Sequence, residues 1–303
     1  MGKSASGLAF ALAAYLIWGM FPLYFKLLGH VDPVEVLAHR ILWTMPLVAV
    51  VLCVGWQWRL VAFAFRDRRL LVLLTCSALL IALNWGVYIW AVTNERILDA
   101  SLGYYLTPLV SVALGIVVFG ERLRPWQWVA IGLAAVGILQ LLVVEGVLPW
   151  VGLVVAMSFG LYGALRKQLA VESAAGLFIE TVLLMPLALA WVFWIAAQQS
   201  GAFLTAGLPT SLLLAGAGVA TAVPLLFYVA GARRLRLSTM GVLFYLTPSI
   251  QFLLGTLLYG EPLSGARLLT FALIWSGLLI HFAEGRLHER GRRPGGRELP
   301  PAR

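Results

Sequence analysis

The chain has 303 residues, of which 61% are hydrophobic and only 12% are charged, and its formal net charge is +9. A soluble domain is typically about 45–50% apolar and about 25% charged. A globule of this length cannot bury such an apolar excess, so the composition excludes a soluble enzyme, a disordered chain and a disulfide-rich secreted domain, and it favours a lipid bilayer as the surroundings.

Apolar windows, taken in chain order, predict ten membrane-spanning helices. A helix needs about 20 apolar residues to cross about 30 Å of hydrocarbon. Windows of that size fall at 8–27, 36–55, 69–92, 98–119, 125–144, 148–167, 176–197, 209–231, 237–259 and 267–283. The loops between them leave no room for a separate soluble domain, and the unbroken apolar runs exclude a transmembrane β-barrel. The predicted fold class is an all-α integral membrane protein.

The distribution of Lys and Arg predicts the orientation of these spans. A cytoplasmic N-terminus puts 18 of the 22 cations on the inner side and only Arg96 and Arg267 outside, with Lys26 and Arg40 within or at the edges of spans. Positive residues resist translocation, so both termini are predicted to be cytoplasmic. This explanation of the basic charge leaves no reason to expect a nucleic-acid partner. Residues 286–303 are predicted to form a basic, disordered cytoplasmic tail.

The chain contains an internal repeat with a spacing of 140 residues. Tyr105-Leu106-Thr107-Pro108 recurs as Tyr245-Leu246-Thr247-Pro248, and Gly120-Glu121 recurs as Gly260-Glu261. At a spacing of 141, Trp18-Gly19 matches Phe159-Gly160. The repeat predicts two halves of five spans each, a first half at 1–145 and a second half at 146–285.

Five is an odd number, so the two halves are predicted to enter the membrane from opposite sides. The charges agree, because the loop at 59–69 carries four Arg residues and its counterpart at 199–209 carries none. Inverted repeats are the architecture of many secondary transporters, in which the halves meet at a central site.

Five short motifs, spread over nearly the whole chain, resemble those of the RarD-type members of the EamA branch of the drug/metabolite transporter superfamily. They are Ala14-Tyr15-Leu16-Ile17-Trp18-Gly19, His39-Arg40-Ile41-Leu42-Trp43, Asn84-Trp85, Ala100-Ser101-Leu102-Gly103-Tyr104 and Arg234-Leu235-Arg236-Leu237-Ser238-Thr239. The resemblance implies a transporter of the bacterial inner membrane that moves a small solute. Amino acids, other metabolites and drugs such as chloramphenicol, with which the name of these members is associated, are the candidate solutes.

Ionisable side chains inside the spans are the leading candidates for solute binding, because each costs several kcal/mol in hydrocarbon. Arg40 and Glu180 lie early in the second and seventh spans and are 140 residues apart. The planar guanidinium of Arg40 suits an anionic group such as a carboxylate. Glu180 would bind an amine or carry a proton. The alternative for both is an interfacial charge or an ion pair between helices.

Uncharged polar and aromatic residues near the middle of spans complete the candidate binding site. Aromatic rings can line a pocket for apolar or cationic solutes. An Asn in hydrocarbon needs hydrogen-bond partners, so Asn84 would either contact the solute or lock two helices together. The further candidates are Trp18, Tyr88, Tyr105, Tyr245 and Gln251.

Two symmetric prolines are candidates for hinges. Pro108 and Pro248 lack the N–H that would bond the carbonyl groups of Tyr104 and Phe244, so the helices would flex there, or else the prolines only fix a static kink. Gly120-Glu121 and Gly260-Glu261 are interpreted as structural, with Gly ending one helix and Glu lying at the positive start of the next.

The predicted function is secondary transport by alternating access. The alternative is a flippase for a lipid-linked sugar, and a membrane enzyme is a distant third because the ionisable residues are scattered. No nucleotide-binding loop or metal-ligand motif is visible, so no cofactor and no metal are expected. A small-molecule solute and the lipid bilayer are the expected partners, and assembly into a homo-oligomer is left open.

Overall fold

The computed structural model describes residues 3–55, 58–120, 125–146, 148–169, 171, 173–232, 234–235, 240 and 243–291. Within these ranges every regular element is helical and there is no β-strand. Glu121, Arg233 and Arg236, which entered the sequence predictions, lie outside the described residues. The predicted all-α fold class is confirmed for the described part of the chain.

Twelve helices follow one another along the described residues. They are α1 Lys3–Gly19, α2 Phe21–Lys26, α3 Pro33–Gly55, α4 Trp58–Arg66, α5 Arg68–Thr93, α6 Ile97–Phe119, α7 Pro125–Glu145, α8 Trp150–Gln168, α9 Ser173–Ala197, α10 Leu208–Ala232, α11 Leu246–Leu253 and α12 Gly265–Gly291. A π-helical turn, Leu254–Leu258, continues α11 directly. The last helix therefore covers the first residues of the predicted tail, and 292–303 lie outside the described residues.

Within the part of the chain that the structure describes, seven helical segments are long and apolar enough to cross a membrane, judged by length and composition. They are Ala5–Lys26, Pro33–Gly55, Arg68–Thr93, Ile97–Gly115, Trp128–Glu145, Ala174–Ala197 and Leu208–Gly231. The other three predicted spans coincide with shorter apolar helices at Trp150–Arg166, Leu246–Leu258 and Gly265–Ile280. Apolar helices therefore occur at all ten predicted positions, and the number of membrane crossings stays a prediction.

The structure adds one short helix that the hydropathy windows did not predict. Helix α4 lies in the loop between the second and third predicted spans, and it buries Val61 and Ala64 while Arg59 and Arg66 stay exposed. Positions three residues apart share a helix face, so α4 is amphipathic. A hydropathy window of about 20 residues does not detect such a short helix, because averaging over the window reveals only segments that are apolar along their whole length.

The first predicted span is broken into α1 and α2. The break follows Gly19, and Pro22 lies in the first turn of α2. A proline has no N–H, so the carbonyl four residues earlier, that of Trp18, loses its helical donor. This carbonyl instead accepts a hydrogen bond from the side chain of Gln251, a candidate site residue.

Ten of the described helices lie wholly or mostly in one compact unit, which covers 1–114 and 150–262. In this unit α1 packs on α10, α8 packs on α5, and α3 packs on both α9 and α10. The first helix of each predicted half therefore packs on the third helix of the other half.

Glycines allow two close helix contacts in this unit. A Cβ atom at Gly19 would lie 2.8 Å from Cδ1 of Ile250, and one at Gly160 would lie 2.7 Å from Cγ1 of Val110. The residues of the two contacts correspond to each other in the internal repeat, at spacings of 141 and 140. Both helix pairs approach too closely for a larger side chain.

A second compact unit, 115–149 with 263–303, contains α7 and α12, which pack against each other. A Cβ atom at Gly137 would lie 3.4 Å from the carbonyl oxygen of Thr270, and one at Gly277 would lie 2.8 Å from that of Ala130. The amide of Gln140 donates hydrogen bonds of 2.6 Å to Ala266 O and Thr270 Oγ1. These two helices correspond to the fifth span of each predicted half.

Candidate functional site

Arg40 lies on α3 with only 4% of its surface exposed. Its Nε donates a 2.8 Å hydrogen bond to Thr221 Oγ1 on α10. Its guanidinium carbon lies 4.1 Å from the ring centroid of Trp85 on α5. Among the described residues, no carboxylate lies within ion-pair distance of Arg40, and its two terminal nitrogens donate no hydrogen bond.

The surroundings of Arg40 are aromatic rather than acidic. The rings of Phe21 and Phe25 on α2 lie with their centroids 5.5 Å and 5.7 Å from the guanidinium carbon. Cation–π contacts of this kind are worth about 2 kcal/mol or more when water is excluded. A buried ion without an opposite charge costs several kcal/mol, so these contacts offset only part of the cost.

Six rings form an aromatic cluster beside this residue. They consist of three pairs related by the internal repeat, which are Trp18 and Phe159, Tyr88 and Tyr228, and Tyr104 and Phe244. The ring centroids lie 5.6 Å apart for Tyr88 and Tyr104, 6.3 Å for Tyr104 and Phe244, and 5.7 Å for Trp18 and Tyr228. The ring of Tyr15 lies between these contacts, with its centroid 5.8 Å from that of Trp18 and 6.0 Å from that of Phe244, and so connects Trp18 and Tyr228 to the other rings.

Gln251 on α11 connects two members of the aromatic cluster. Its Nε2 donates 3.1 Å hydrogen bonds to the Trp18 carbonyl and to the Tyr88 hydroxyl. The first of these acceptors is the carbonyl that Pro22 leaves without a helical donor. A carbonyl can only accept, so the amide nitrogen must face it, and the buried Oε1 of Gln251 then has no partner among the described residues.

Tyr105 and Tyr245, the paired tyrosines of the repeated motif, face each other. Their rings are stacked with centroids 6.2 Å apart. The hydroxyl of Tyr105 also shares a 2.7 Å hydrogen bond with Ser249 Oγ. This contact joins α6 to α11, the fourth helices of the two predicted halves.

Glu180 on α9 is fully buried, and three side chains surround its carboxylate. Ser77 on α5 donates a 2.5 Å hydrogen bond to Oε1, and the Tyr162 hydroxyl on α8 donates one of 3.4 Å to Oε2. Arg166, one helical turn after Tyr162, places Nη1 3.8 Å from Oε1. A Cβ atom at Gly176 would overlap the Arg166 guanidinium, so a glycine is needed for this arrangement.

Arg166 was missed as a site residue by the sequence reasoning, which counted it only among the cytoplasmic cations. The available signal was its spacing of four residues from Tyr162, which places both on one face of α8. Nothing in the sequence indicated that this face meets Glu180.

Arg40 and Glu180 do not pair with each other, although they occupy equivalent positions in the repeat. Each has a hydrogen bond with the third helix of the other predicted half: Arg40 donates to Thr221 on α10, and Glu180 accepts from Ser77 on α5. Glu180 has a cationic neighbour and Arg40 has no anionic neighbour among the described residues. Of the two, Arg40 is the charge that the described side chains leave unbalanced.

Asn84 joins two helices. Its Nδ2 donates hydrogen bonds of 2.9 Å to the Val155 carbonyl and 3.1 Å to Ser158 Oγ, both on α8. This is the contact expected of a helix lock, and a contact with the solute stays a prediction.

The two candidate hinge prolines have different surroundings. Pro108 lies inside α6, so it leaves the Tyr104 carbonyl without its usual helical donor. Pro248 is the third residue of α11, in the first turn, where an N–H is not required. The Pro248 carbonyl accepts a 2.9 Å hydrogen bond from Ser101 Oγ on α6. Bending at either proline stays a prediction.

Glu261 was expected to lie at the start of the next helix, and this expectation was wrong. Its two carboxylate oxygens accept hydrogen bonds of 2.7 Å and 2.8 Å from the N–H groups of Ile97 and Leu98, at the start of α6. Burial raises the pKa of Glu261, while these two hydrogen bonds oppose that shift. A helix start offers free N–H donors and a positive dipole. Glu261 does bind such a helix start, but it is the start of α6 rather than that of the next helix in the chain.

Comparisons with known proteins agree with this architecture. Residues 5–143 match the profile of the EamA-like transporter family. The chain is 43% identical over 279 residues to an uncharacterized transporter of Vibrio cholerae, with 92% of each chain covered. It is 42% identical to the protein RarD of Escherichia coli, covering 92% of this chain and 94% of the relative. It is 34% identical to the chloramphenicol-sensitive protein RarD of Pseudomonas aeruginosa, covering 92% and 94%.

A crystal structure of another protein has the same fold, with a TM-score of 0.60 and 21% sequence identity over 93% of this chain and 99% of that one. The apolar helices and these relatives together define a multi-pass membrane transporter. The chain belongs to the EamA-like transporter family, and within it to the RarD type. The family resemblance drawn from the sequence motifs is therefore confirmed.

Proposed function

We propose that this protein is a secondary transporter of the bacterial inner membrane that moves a small solute bearing an anionic group by alternating access. Amino acids, other metabolites and drugs are the candidate solutes. A relative from Pseudomonas aeruginosa is named for chloramphenicol sensitivity, which keeps that drug among the candidate solutes of the transporter. Chloramphenicol carries no anionic group, so it would not bind Arg40 as a counter-ion and is the candidate that fits this site least well.

The observation that carries this proposal is the setting of Arg40. The residue is buried in a membrane helix, has aromatic neighbours, and has no carboxylate partner among the described residues. A cation in such a place is strongly unfavourable unless an anion approaches during the functional cycle. The neighbouring Tyr88, Gln251 and Trp18 would then contact the rest of the solute.

Glu180 is proposed to bind an amine of the solute or to carry a proton. Its ion pair with Arg166 supplies the competing explanation, a structural contact between α9 and α8. The two explanations differ in their consequences for transport, which a double substitution separates, as set out in the Discussion.

The proposed mechanism uses two inverted halves, 1–145 and 146–285, with ten spans and both termini in the cytoplasm. Two matched pairs of glycine contacts support it. The pair Gly19 and Ile250 has its counterpart in Gly160 and Val110. Within the second compact unit, Gly137 at Thr270 has its counterpart in Gly277 at Ala130. Matched contacts are expected where two halves are related by a two-fold axis in the membrane plane.

Rocking of the two halves would expose the Arg40 site to one side of the membrane at a time. The stacked Tyr105 and Tyr245 lie where equivalent helices meet, and Pro108 and Pro248 are the proposed hinges. Replacing both prolines with alanine would leave transport unchanged if they serve only as static kinks.

The test combines a binding screen with transport. Purified protein is screened for thermal stabilisation by amino acids, drugs and lipid-linked sugars, and the best ligand is then used in proteoliposome uptake. Uptake is expected to fall at least about tenfold in Arg40→Ala, because a hydrogen bond to a charged group is worth about 1.5–3 kcal/mol, and to be only partly restored in Arg40→Lys. Unchanged uptake in both variants would contradict the proposal, and stabilisation by lipid-linked sugars alone would favour the flippase.

A further inference from the structure

Two neighbours determine which part of the Arg40 guanidinium is available to a ligand. The Nε–H is used by Thr221 Oγ1 at 2.8 Å. The hydroxyl of Thr221 donates its own hydrogen to the Ala217 carbonyl at 2.9 Å, so its oxygen is oriented to accept from Arg40. Trp85 covers one face of the guanidinium, with the ring centroid 4.1 Å from the central carbon.

A guanidinium has two edges that can hold a carboxylate through two parallel N–H donors. One edge uses Nε and one terminal nitrogen, and the other uses both terminal nitrogens. Thr221 occupies Nε, so the first edge cannot bind in this way. The terminal edge remains, and its nitrogens donate no hydrogen bond within the described part of the chain.

We propose that Thr221 and Trp85 are positioning residues that present the terminal edge of Arg40 to one planar monoanion, so that the anionic group of the solute is a carboxylate rather than a phosphate dianion. This inference rests on the proposed role of Arg40 as the anion site. Two oxygens of a carboxylate match the two parallel donors of that edge, and two oxygens of a phosphate do so as well, so charge rather than shape distinguishes the two anions.

Charge balance supports the choice of a monoanion. Arg40 supplies one positive charge, and Lys26 and Arg166, two other cations near the ends of apolar helices, already face Glu95 and Glu180. A phosphate dianion would bring a second negative charge with no opposite charge from these residues, and an uncompensated charge is costly away from water.

The inference is tested by chemical protection of Arg40 in the purified full-length protein, with benzoate and phenylphosphonate as probes at a pH where the second is a dianion. Phenylglyoxal condenses with the terminal nitrogens of arginine, and peptide mass spectrometry measures the modified fraction at Arg40. Benzoate is expected to protect Arg40. Phenylphosphonate is expected to need about tenfold higher concentration for equal protection, because its second negative charge has no opposite charge at the site.

Variants then test the positioning role. In Thr221→Val and Trp85→Leu, the half-protecting benzoate concentration is expected to rise about tenfold and the preference over phenylphosphonate to shrink. Thr221→Ser keeps the hydroxyl and is expected to behave as the unmodified protein. Thr181→Val is the matched control, because Thr181 is also buried and the one acceptor of its hydroxyl among the described residues is the Phe178 carbonyl of its own helix. Thermal melting confirms that each variant is folded, and Trp85→Phe replaces Trp85→Leu if the latter is not.

The outcomes separate this inference from the proposed function. No labelling of Arg40 in the unmodified protein, equal protection by the two probes, or undiminished benzoate protection in both Thr221→Val and the Trp85 variant would each overturn it. None of these readouts requires transport. Failure of the proposed function shows instead as absence of solute uptake in proteoliposomes, or as uptake that is unchanged in both Arg40→Ala and Arg40→Lys, whatever the labelling pattern.

Discussion

Individual side chains in the compact unit of 1–114 and 150–262 fall into two kinds. The polar groups of Asn84 and Glu261 bond the backbone of other helices: Asn84 donates to a carbonyl of α8, and Glu261 accepts from an N–H of α6. Gln251 retains a buried Oε1 that bonds no described residue, and the terminal nitrogens of the buried Arg40 donate no hydrogen bond to one. A buried polar group left without a partner costs about 1–3 kcal/mol, so the second kind is better explained by binding than by stability.

Asn84→Leu is expected to lower thermal stability, because both hydrogen bonds to α8 are lost while the apolar volume is kept. Hydrogen bonds between membrane helices are worth about 0.6 kcal/mol on average and up to about 1.7, so a loss of about 1–2 kcal/mol is predicted. Melting of the purified protein in detergent measures it. Asn94→Leu, at the exposed end of α5, is the control and is expected to change little. Equal melting of both variants would argue against the helix lock.

Glu180→Gln is expected to destabilise the protein, because Arg166 then loses its counter-ion. Breaking a buried pair typically costs about 3–5 kcal/mol. Arg166 is partly exposed, so the expected loss in the free energy of unfolding is smaller, about 1–2 kcal/mol. The double variant Glu180→Gln with Arg166→Gln is expected to regain part of the melting temperature. No recovery in the double variant would mean that the two side chains are not coupled.

The same pair of variants decides the role of Glu180 in transport. If Glu180 binds an amine or a proton, the double variant recovers stability while uptake, and its response to a pH gradient, stay impaired. If the pair is only structural, uptake recovers together with stability. Proteoliposome uptake, measured on the preparations used for melting, distinguishes the two results.

At the level of helices, close packing depends on a few small residues. On α8, Gly160 faces Val110, whereas Gly163, almost one turn later, has open space around it. On α7 and α12, Gly277 faces the backbone of Ala130, whereas a Cβ atom at Gly132 would meet no described residue of another helix within 4 Å. Small residues let membrane helices approach each other closely, which increases their van der Waals contact.

Gly160→Ala is expected to destabilise the protein by about 1–3 kcal/mol, because the new methyl group would lie 2.7 Å from Val110 Cγ1 and force α6 and α8 apart. Gly163→Ala, on the same helix, is the matched control and is expected to be neutral or stabilising by up to about 1 kcal/mol through helix propensity. Thermal melting measures both. If Gly160→Ala melted no lower than Gly163→Ala, the close contact of α6 with α8 would not matter for stability.

For the whole molecule, the proposed inverted repeat predicts that the two halves enter the membrane in opposite directions. The 140-residue spacing pairs Leu60 on α4 with Ser200 in the loop before α10, and both are exposed. In an inverted repeat these two positions lie on opposite sides of the membrane. The charge bias of the loops predicts the cytoplasmic side for Leu60.

Cysteine labelling tests this arrangement. After Cys53 and Cys76 are replaced with serine, a cysteine at position 200 is expected to react with a membrane-impermeant maleimide in intact cells. A cysteine at position 60 is expected to react only after the membrane is permeabilised. Reaction of both from the same side would contradict the inverted repeat and the proposed topology.

Features that depend on residues adjacent in the chain could be predicted from the sequence. Apolar helices lie at all ten predicted positions because a backbone in hydrocarbon must satisfy its own hydrogen bonds, which makes hydropathy a direct indicator of helices. Sequence reasoning missed α4, whose apolar residues form a short stripe rather than a continuous run. It also assigned Glu261 to the wrong helix, because the dipole argument predicts a helix start without saying which one.

The sequence by itself determined the all-helical membrane class, the family and the short list of buried charges, since each depends on composition or on motifs continuous in the chain. Only the tertiary structure decided what those charges meet. It placed Thr221 and Trp85 at Arg40 and Arg166 at Glu180, partners distant in sequence or on other helices. Hydropathy acts along the chain, whereas these contacts depend on which helix faces meet across the packed unit, and a single sequence does not encode that choice in any local pattern.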